Sequence, residues 1–222
     1  MTLRPLSLLE TRVLGVLIEK QHTVPDTYPL TLNALGAGCN QKSSRDPVLD
    51  VSEAEIQAAV DELKRISLVI ETSGGRVMRY AQNFGRVLGV PPQATALLAA
   101  LMLRGTQTVG ELRISSERLH RFADTSSVEA FLHELADRPA GALVVELPRQ
   151  PGAREPRWAH LLSGPPADQP AATAATVSPG TETRTPDEVA SLRAEVARLG
   201  AELDAMKTIV ARLCKQLGVD AT

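Results

Sequence analysis

The stretch from Ser52 to Ala81 constrains the fold of this chain more than any other. It opens with the S-x-x-E pattern of a capping box, in which the serine hydroxyl accepts an N–H of the first helical turn and Glu55 accepts the N–H of the cap. Ile56, Val60 and Leu63 follow at helical spacing and form one apolar stripe. The pattern predicts a helix that packs one face against a core.

A β-hairpin is predicted directly after this helix. Leu68 to Ile70 form a short apolar run, Ser73-Gly74-Gly75 tolerates the positive φ of a tight turn, and residues 76–80 can return as a strand. A capped helix, a strand, a glycine turn and a second strand in this order are typical of the second half of a winged helix.

The preceding residues supply the helices that complete such a unit. Ser7 and Glu10 form another capping box and open the first helix. A second, short helix is predicted from Leu30 to Leu35, because Gly36 and Gly38 favour a helix end. A polar loop, CNQKSSRDPVLDV, joins it to the third helix.

The same order of elements recurs further along the chain. Ser126 and Glu129 form a third capping box, and two strand-like segments flank the turn signal Pro151-Gly152. We therefore predict a mainly α fold with small β-hairpins, built as two tandem winged-helix domains over residues 1–85 and 86–164.

The C-terminal part of the chain has a different character. Residues 165–184 are rich in Pro, Ala, Thr and Gly without an apolar period, which is typical of a flexible linker. Residues 185–218 carry apolar side chains in unbroken 3-4 spacing, which predicts a C-terminal coiled-coil helix. The predicted self-association positions are Val189, Leu192, Val196, Leu199, Leu203, Met206, Val210, Leu213 and Leu217. This seam favours a parallel homodimer; the alternative is a single amphipathic helix folded back on the domains.

Composition indicates a soluble, cytoplasmic protein. Hydrophobic residues make up 43% of the 222 residues, charged residues 23% and aromatic residues 3%, and the net charge is -2. So few aromatics argue against a stacking platform for single-stranded nucleic acid. The two cysteines are far apart and fit a reducing compartment. The sequence shows neither a signal peptide nor a run long enough to span a membrane.

Neither catalysis nor a cofactor is predicted. The four histidines, at positions 22, 120, 133 and 160, are scattered through different elements and lack the spacing of a metal pair. The sequence contains no nucleophile elbow, phosphate-binding loop or dinucleotide fingerprint. We therefore expect a non-enzymatic protein without a bound metal or cofactor.

Several short motifs resemble those of a known family. They are CNQKSSRDPV at residues 39–48, LRGTQT at 103–108, GELR at 110–113 and HLLSG at 160–164. Together they are similar to the YceH-like family of bacterial proteins, over Leu6 to about Gly164. The resemblance implies tandem winged-helix domains, no established activity, and a DNA-binding assignment that rests on the fold alone.

Duplex DNA is the first predicted partner, in the manner of a transcription regulator. The third helix would be the recognition helix, but its carboxylates are repelled by phosphates. We therefore place the contacts in the loop before that helix and in the arginines of the hairpins: Asn40, Gln41, Lys42, Ser43, Ser44, Arg45, Arg76, Arg79, Arg149, Arg154 and Arg157. The alternatives are a loop whose polar groups satisfy its own backbone and arginines that are simply solvated.

A protein partner is the second prediction. The third helix of each half is acidic and would suit a basic protein better than DNA; its carboxylates are Glu53, Glu55, Asp61 and Glu62 in the first half and Glu129, Glu134 and Asp137 in the second. A continuous positive surface joining Lys42, Arg45, Arg76 and Arg79 would favour DNA. An acidic surface there would favour the protein partner.

Overall fold

The computed structural model of the protein describes residues 3–73, 77–150 and 152–166. Within these residues the chain forms seven α-helices and two small antiparallel sheets. In chain order the elements are α1 (Leu8–Thr23), β1 (Leu30–Thr31), α2 (Leu32–Cys39), α3 (Glu53–Arg65), β2 (Val69–Thr72), β3 (Arg79–Gln82), α4 (Phe84–Leu88), α5 (Pro92–Arg104), α6 (Val109–Ser115), α7 (Thr125–Ala136), β4 (Val144–Leu147) and β5 (Arg157–His160). A mainly α fold with small β-hairpins is therefore confirmed.

Each half of the described chain has its own hairpin. In the first half β2 pairs antiparallel with β3, with Val69 opposite Gln82, and the two-residue β1 adds to the other edge of β3. In the second half β4 pairs with β5, with Val144 opposite His160. The order of three helices and a hairpin thus occurs twice, from α1 to β3 and from α5 to β5.

Helix starts follow the capping chemistry that the sequence predicts, with one correction. The boxes at Ser7 and Ser52 both form, and the Ser52 N–H donates to Glu55 Oε2 over 2.8 Å. In α7, however, the cap is Asp124 and not Ser126, because the Ser127 N–H donates to the Asp124 carboxylate over 2.8 Å. A carboxylate also suits the positive end of the helix dipole, so the earlier residue caps the helix.

Helix α2 continues through both glycines that were predicted to end it. Gly38 faces α1, and a Cβ added at this position would lie 2.5 Å from Val16 Cγ1. Glycine therefore serves the close approach of two helices here, and the prediction of a helix end at Gly36 is wrong. The short elements β1 and α4 were not predicted, because two to five residues are too few to show a period.

Helix α1 is the centre of the hydrophobic core. Val13, Leu14 and Leu17 are fully buried, and α1 packs against α2 and α3 of its own half and against α5 of the other. The core is continuous across both halves, and all described residues belong to one compact unit. The division into domains at residue 85 stays a prediction.

The predicted C-terminal elements lie almost entirely outside the described residues. Of the linker over 165–184 only the first two residues are described, and the coiled-coil helix over 185–218 is not. The self-association positions from Val189 to Leu217 therefore stay predictions. No helix in the described part of the chain is long and apolar enough to cross a membrane.

Candidate nucleic-acid interface

The loop between α2 and α3 is held from inside the protein by two arginines. Arg12 of α1 is fully buried and donates to the carbonyl oxygens of Cys39 and Pro47 over 3.2 and 2.6 Å. Arg45, from the loop itself, donates from Nη2 to a carboxylate oxygen of Glu19 over 2.6 Å. Because these contacts satisfy backbone carbonyls and one carboxylate, the loop is an ordered part of the fold.

Arg45 does not lie where it could contact a phosphate. The residue is 6% exposed, and its guanidinium makes two parallel hydrogen bonds to Glu19, of 3.2 and 2.6 Å. Burial alone would raise the pKa of Glu19, but the hydrogen bonds and charge of Arg45 outweigh it, so the pKa of Glu19 is lowered. For Arg45 the geometry fits the alternative of a loop that satisfies its own polar groups.

The other loop residues divide into internal and exposed ones. Asn40 exchanges two hydrogen bonds with the backbone of Val51, of 2.8 and 3.0 Å. Gln41 donates to the Ser43 carbonyl over 3.1 Å. Lys42 and Ser43 are exposed, so Lys42 is the cation that this loop offers to the surface.

Of the two arginines predicted for the first hairpin, the structure describes Arg79, which is exposed. Arg79 donates to the carbonyl oxygens of Thr27 and Pro29, over 3.1 and 2.8 Å, and thereby fastens β3 to the segment before β1. Arg76 lies outside the described residues. Arg45 is buried, so the described residues lend no support to a continuous positive surface across Lys42, Arg45, Arg76 and Arg79, which would have favoured DNA.

The second hairpin is fixed against the start of α6. Gln107 and Trp158 exchange backbone hydrogen bonds of 3.1 and 2.7 Å. Arg157 donates to the Thr106 carbonyl over 2.9 Å and pairs with Glu111 over 2.7 Å. Arg157 of the second hairpin therefore lies against the start of α6.

The loop of the first half reaches this same surface. The Asp46 N–H donates to the Leu103 carbonyl over 2.8 Å, and Arg104 at the end of α5 donates to Ser44 Oγ over 2.9 Å. A groove of about 510 Å³ lies here, lined by Asp46, Arg104 and residues of α6 and the second hairpin. The structure thus brings together two groups of predicted contacts, the loop and the second hairpin, that are far apart in sequence.

The lining of this groove is balanced, with Asp46 and Glu111 against Arg104 and Arg157, but the chain segments that border it are rich in arginine. Residues 104–121 and 149–157 contain seven arginines and three glutamates, a surplus of four positive charges in a chain of net charge -2. Six of these arginines are exposed and Arg157 is half-buried. We call the surface of these two segments the basic face. Adjoining grooves place Arg104 and Arg154 beside Arg157 and place Arg113 beside Arg121; the segments also contain Arg118 and Arg149.

Sequence reasoning missed the part of the basic face that α6 contributes. This helix has its own capping box, from Thr108 to Glu111, and it is followed by a turn that carries further arginines. Its outward residue Ile114 is 73% exposed and borders both the groove above and a second one lined by Arg113 and Arg121. The spacing of the arginines alone could have drawn attention to this segment.

Unlike the basic face, the outward face of α3 carries carboxylates and lies beside the N-terminal segment. Glu55 and Ala58 are exposed and Glu62 is half-buried, and the N-terminal segment runs beside them. Arg4 of that segment pairs with Glu10 over 2.5 Å and approaches Glu62 to 3.5 Å. Negative charge and a neighbouring segment both oppose insertion of α3 into a major groove.

Burial strongly shifts the pKa values of two titratable side chains in this part of the protein, Cys39 and His160. Burial raises the pKa of the Cys39 thiol to about 12, so this residue stays protonated and is a small buried side chain. Burial lowers the pKa of His160 to about 4, so its imidazole is neutral near pH 7. Among the described residues, no group of three or more His, Cys, Asp or Glu side chains could hold a metal ion.

The fold defines a mainly helical protein in which a helix–hairpin arrangement occurs twice. The chain belongs to the family described as "Protein of unknown function, DUF480", whose model matches residues 6–153. It is similar to a UPF0502 protein of Dechloromonas aromatica, with 59% identity over 205 residues, 92% of this chain and 94% of the relative. The resemblance to a bacterial family of unknown function is thereby confirmed.

Other bacterial relatives cover the chain as fully. A UPF0502 protein of Burkholderia orbicola is 56% identical over 218 residues, 98% of this chain and 92% of the relative. One of an Acidovorax species is 57% identical over 219 residues, 97% of this chain and 96% of the relative. The similarity therefore extends beyond the described residues into the C-terminal region.

Proposed function

We propose that this protein is a tandem winged-helix protein that binds duplex DNA through the basic face, in the manner of a transcription regulator. The observation that supports the proposal is the surplus of four positive charges on residues 104–121 and 149–157, the segments around α6 and the second hairpin that border the same grooves. The repeated order of three helices and a hairpin supports the winged-helix interpretation.

In this mode the arginines contact the sugar-phosphate backbone, and Lys42 extends the contact from the neighbouring loop. Arginine forms paired hydrogen bonds with phosphate oxygens, whereas α3 stays away from the base edges because of its carboxylates. Contacts to phosphates position a protein on DNA without reading its sequence. We therefore expect a modest affinity that falls steeply with salt.

The test is a charge reversal on the basic face, Arg113→Glu with Arg121→Glu, measured by fluorescence anisotropy on a duplex of about 20 base pairs. We expect DNA affinity to fall by at least about tenfold and the slope of log affinity against log salt to shrink by about 2. The matched control is Arg65→Glu with Arg86→Glu, which makes the same charge change on α3 and α4. Equal losses from both pairs, or a parent protein that does not bind at low salt, would refute the proposal.

Dimerisation through residues 185–218 belongs to the same proposal. Two copies joined by a coiled coil would carry two basic faces on flexible tethers, which raises the effective concentration of the second face once the first is bound. The support is the heptad seam in the sequence.

A further inference from the structure

A groove on the first half of the protein has an apolar floor and an acidic rim. It encloses about 780 Å³ between α3 and the segment that leads into α1. Its lining includes the apolar residues Leu9, Ala58 and Ala59, which we call its floor, and the carboxylates of Asp61 and Glu62, which we call its rim. We call it the α3 groove; it lies on the first half, whereas the basic face belongs mainly to the second.

Negative charge exceeds positive charge along this groove. Its lining includes four carboxylates, from Glu10, Glu55, Asp61 and Glu62, and two arginines, Arg4 and Arg65. Hydrogen bonds from the Ser52 hydroxyl and N–H lower the pKa of Glu55, so this carboxylate is charged at neutral pH. Glu10 is buried and paired with Arg4, Glu62 pairs with Arg65 and lies 3.5 Å from Arg4, and Asp61 lies 3.6 Å from Lys64. The lining still has a surplus of carboxylates over arginines, and this surplus is the charge that a partner meets.

The surplus of carboxylates in this groove favours a basic partner over an anionic one. A polyanion would meet a surplus of carboxylates. An open groove with small side chains on its floor accommodates the apolar side of a helix, whose polar side can then present cations to the rim. Ala58 and Ala59 matter for this fit, because small side chains let a partner backbone come close.

We propose that the α3 groove binds a basic amphipathic segment of another protein. Apolar side chains of that segment pack on Leu9, Ala58 and Ala59, and its lysines or arginines face Glu55, Asp61 and Glu62. The interaction uses a different surface from DNA binding, and it stands whether or not the basic face binds DNA.

The probe is a synthetic amphipathic helix of about 18 residues, with leucine on one side and lysine on the other, titrated into the full-length protein by calorimetry. The variant Asp61→Lys with Glu62→Lys should weaken binding by at least about tenfold. The matched control is Glu129→Lys with Glu134→Lys, which makes the same charge change on the exposed face of α7. We expect the control to change affinity by less than about threefold.

A second variant tests the floor without changing charge. Ala58 is exposed, so Ala58→Trp fills the groove while the helix stays folded, and peptide binding should again fall by at least about tenfold. Equal losses from the α3 and α7 charge pairs, or unchanged binding by the Trp variant, would overturn the proposal. It would also be overturned if the protein self-associates and the α3 charge pair alone abolishes that association, because the occupant would then be a second copy of the chain.

Discussion

At the scale of single residues, Arg12 and Arg45 determine what the loop before α3 can do. Both guanidinium groups point inward and bind carbonyl oxygens of the loop and of the end of α2. Burial lowers the pKa of Arg12, and the nearby charge of Arg45 lowers it further. Two cations therefore lie close together inside the protein, and the carboxylate of Glu19 stabilises one of them directly.

We predict that Arg45→Met destabilises the protein by about 3 kcal/mol, because it leaves a largely buried carboxylate at Glu19 without its partner. The double variant Glu19→Gln with Arg45→Met should recover part of this loss. Urea unfolding measures the free energy of unfolding of both variants. The control is Lys42→Met in the same loop, which is exposed and should change stability by less than about 0.5 kcal/mol. If Arg45→Met is as stable as Lys42→Met, the ion pair between Glu19 and Arg45 does not contribute to stability.

The same pair predicts a dependence on acid. The folded pKa of Glu19 lies below its ordinary value of 4.5, so the ion pair contributes its full stability above pH 4.5. That contribution is lost as the pH falls through the lower, folded pKa, because the carboxylate must then be protonated. As the pH falls below 4.5, the double variant Glu19→Gln with Arg45→Met should lose less stability than the parent protein does.

At the scale of elements, the contact between α1 and α5 joins the two halves. Gly15 lies at this contact, and a Cβ added there would lie 2.8 Å from Leu103 Cγ. The adjacent Arg104 and the Asp46–Leu103 hydrogen bond then bring the loop of the first half to the basic face. The groove at the basic face therefore depends on how closely these two helices approach.

Gly15→Ala should destabilise the protein by about 1–2 kcal/mol, since overpacking against Leu103 outweighs the better helix propensity of alanine. Gly110→Ala in α6 is the matched control. There an added Cβ meets its nearest neighbour at 4.0 Å, so this substitution should leave stability unchanged or raise it by up to about 1 kcal/mol. Thermal and urea unfolding give both values, and two substitutions of the same sign would contradict the close-packing argument.

At the scale of the whole molecule, charge is unevenly distributed over a chain that is nearly neutral. The α3 groove has an acidic rim, whereas the basic face on α6 and the second hairpin has a surplus of four positive charges. Net charge alone therefore says little about the partners of this protein. If both proposals hold, two different partners bind to surfaces of opposite charge.

The C-terminal heptads predict a dimer. Leu199→Asp with Leu203→Asp places carboxylates in the seam and should convert a dimer to a monomer in light scattering, without unfolding the residues before Ser163. Ala194→Asp with Ala201→Asp adds the same charges at outward heptad positions and should leave the dimer intact. A parent protein that is already monomeric would contradict the assignment.

The sequence by itself determined the features that depend on neighbouring residues. The S-x-x-E pairs predicted the starts of α1 and α3, and the strand runs on either side of the glycine turns predicted both hairpins. These signals are local, because a cap or a tight turn involves residues only a few positions apart. The family resemblance was also carried by short motifs.

Only the tertiary structure decided which of the predicted contacts reach the surface. Arg45 resembles an exposed cation in the sequence but pairs with Glu19, which lies 26 residues away, and Gly38 resembles a helix end but lies at a helix–helix contact. The basic face likewise forms because β5 lies beside the start of α6. Burial and charge clustering depend on contacts between distant segments, and the pattern of neighbouring residues does not specify them.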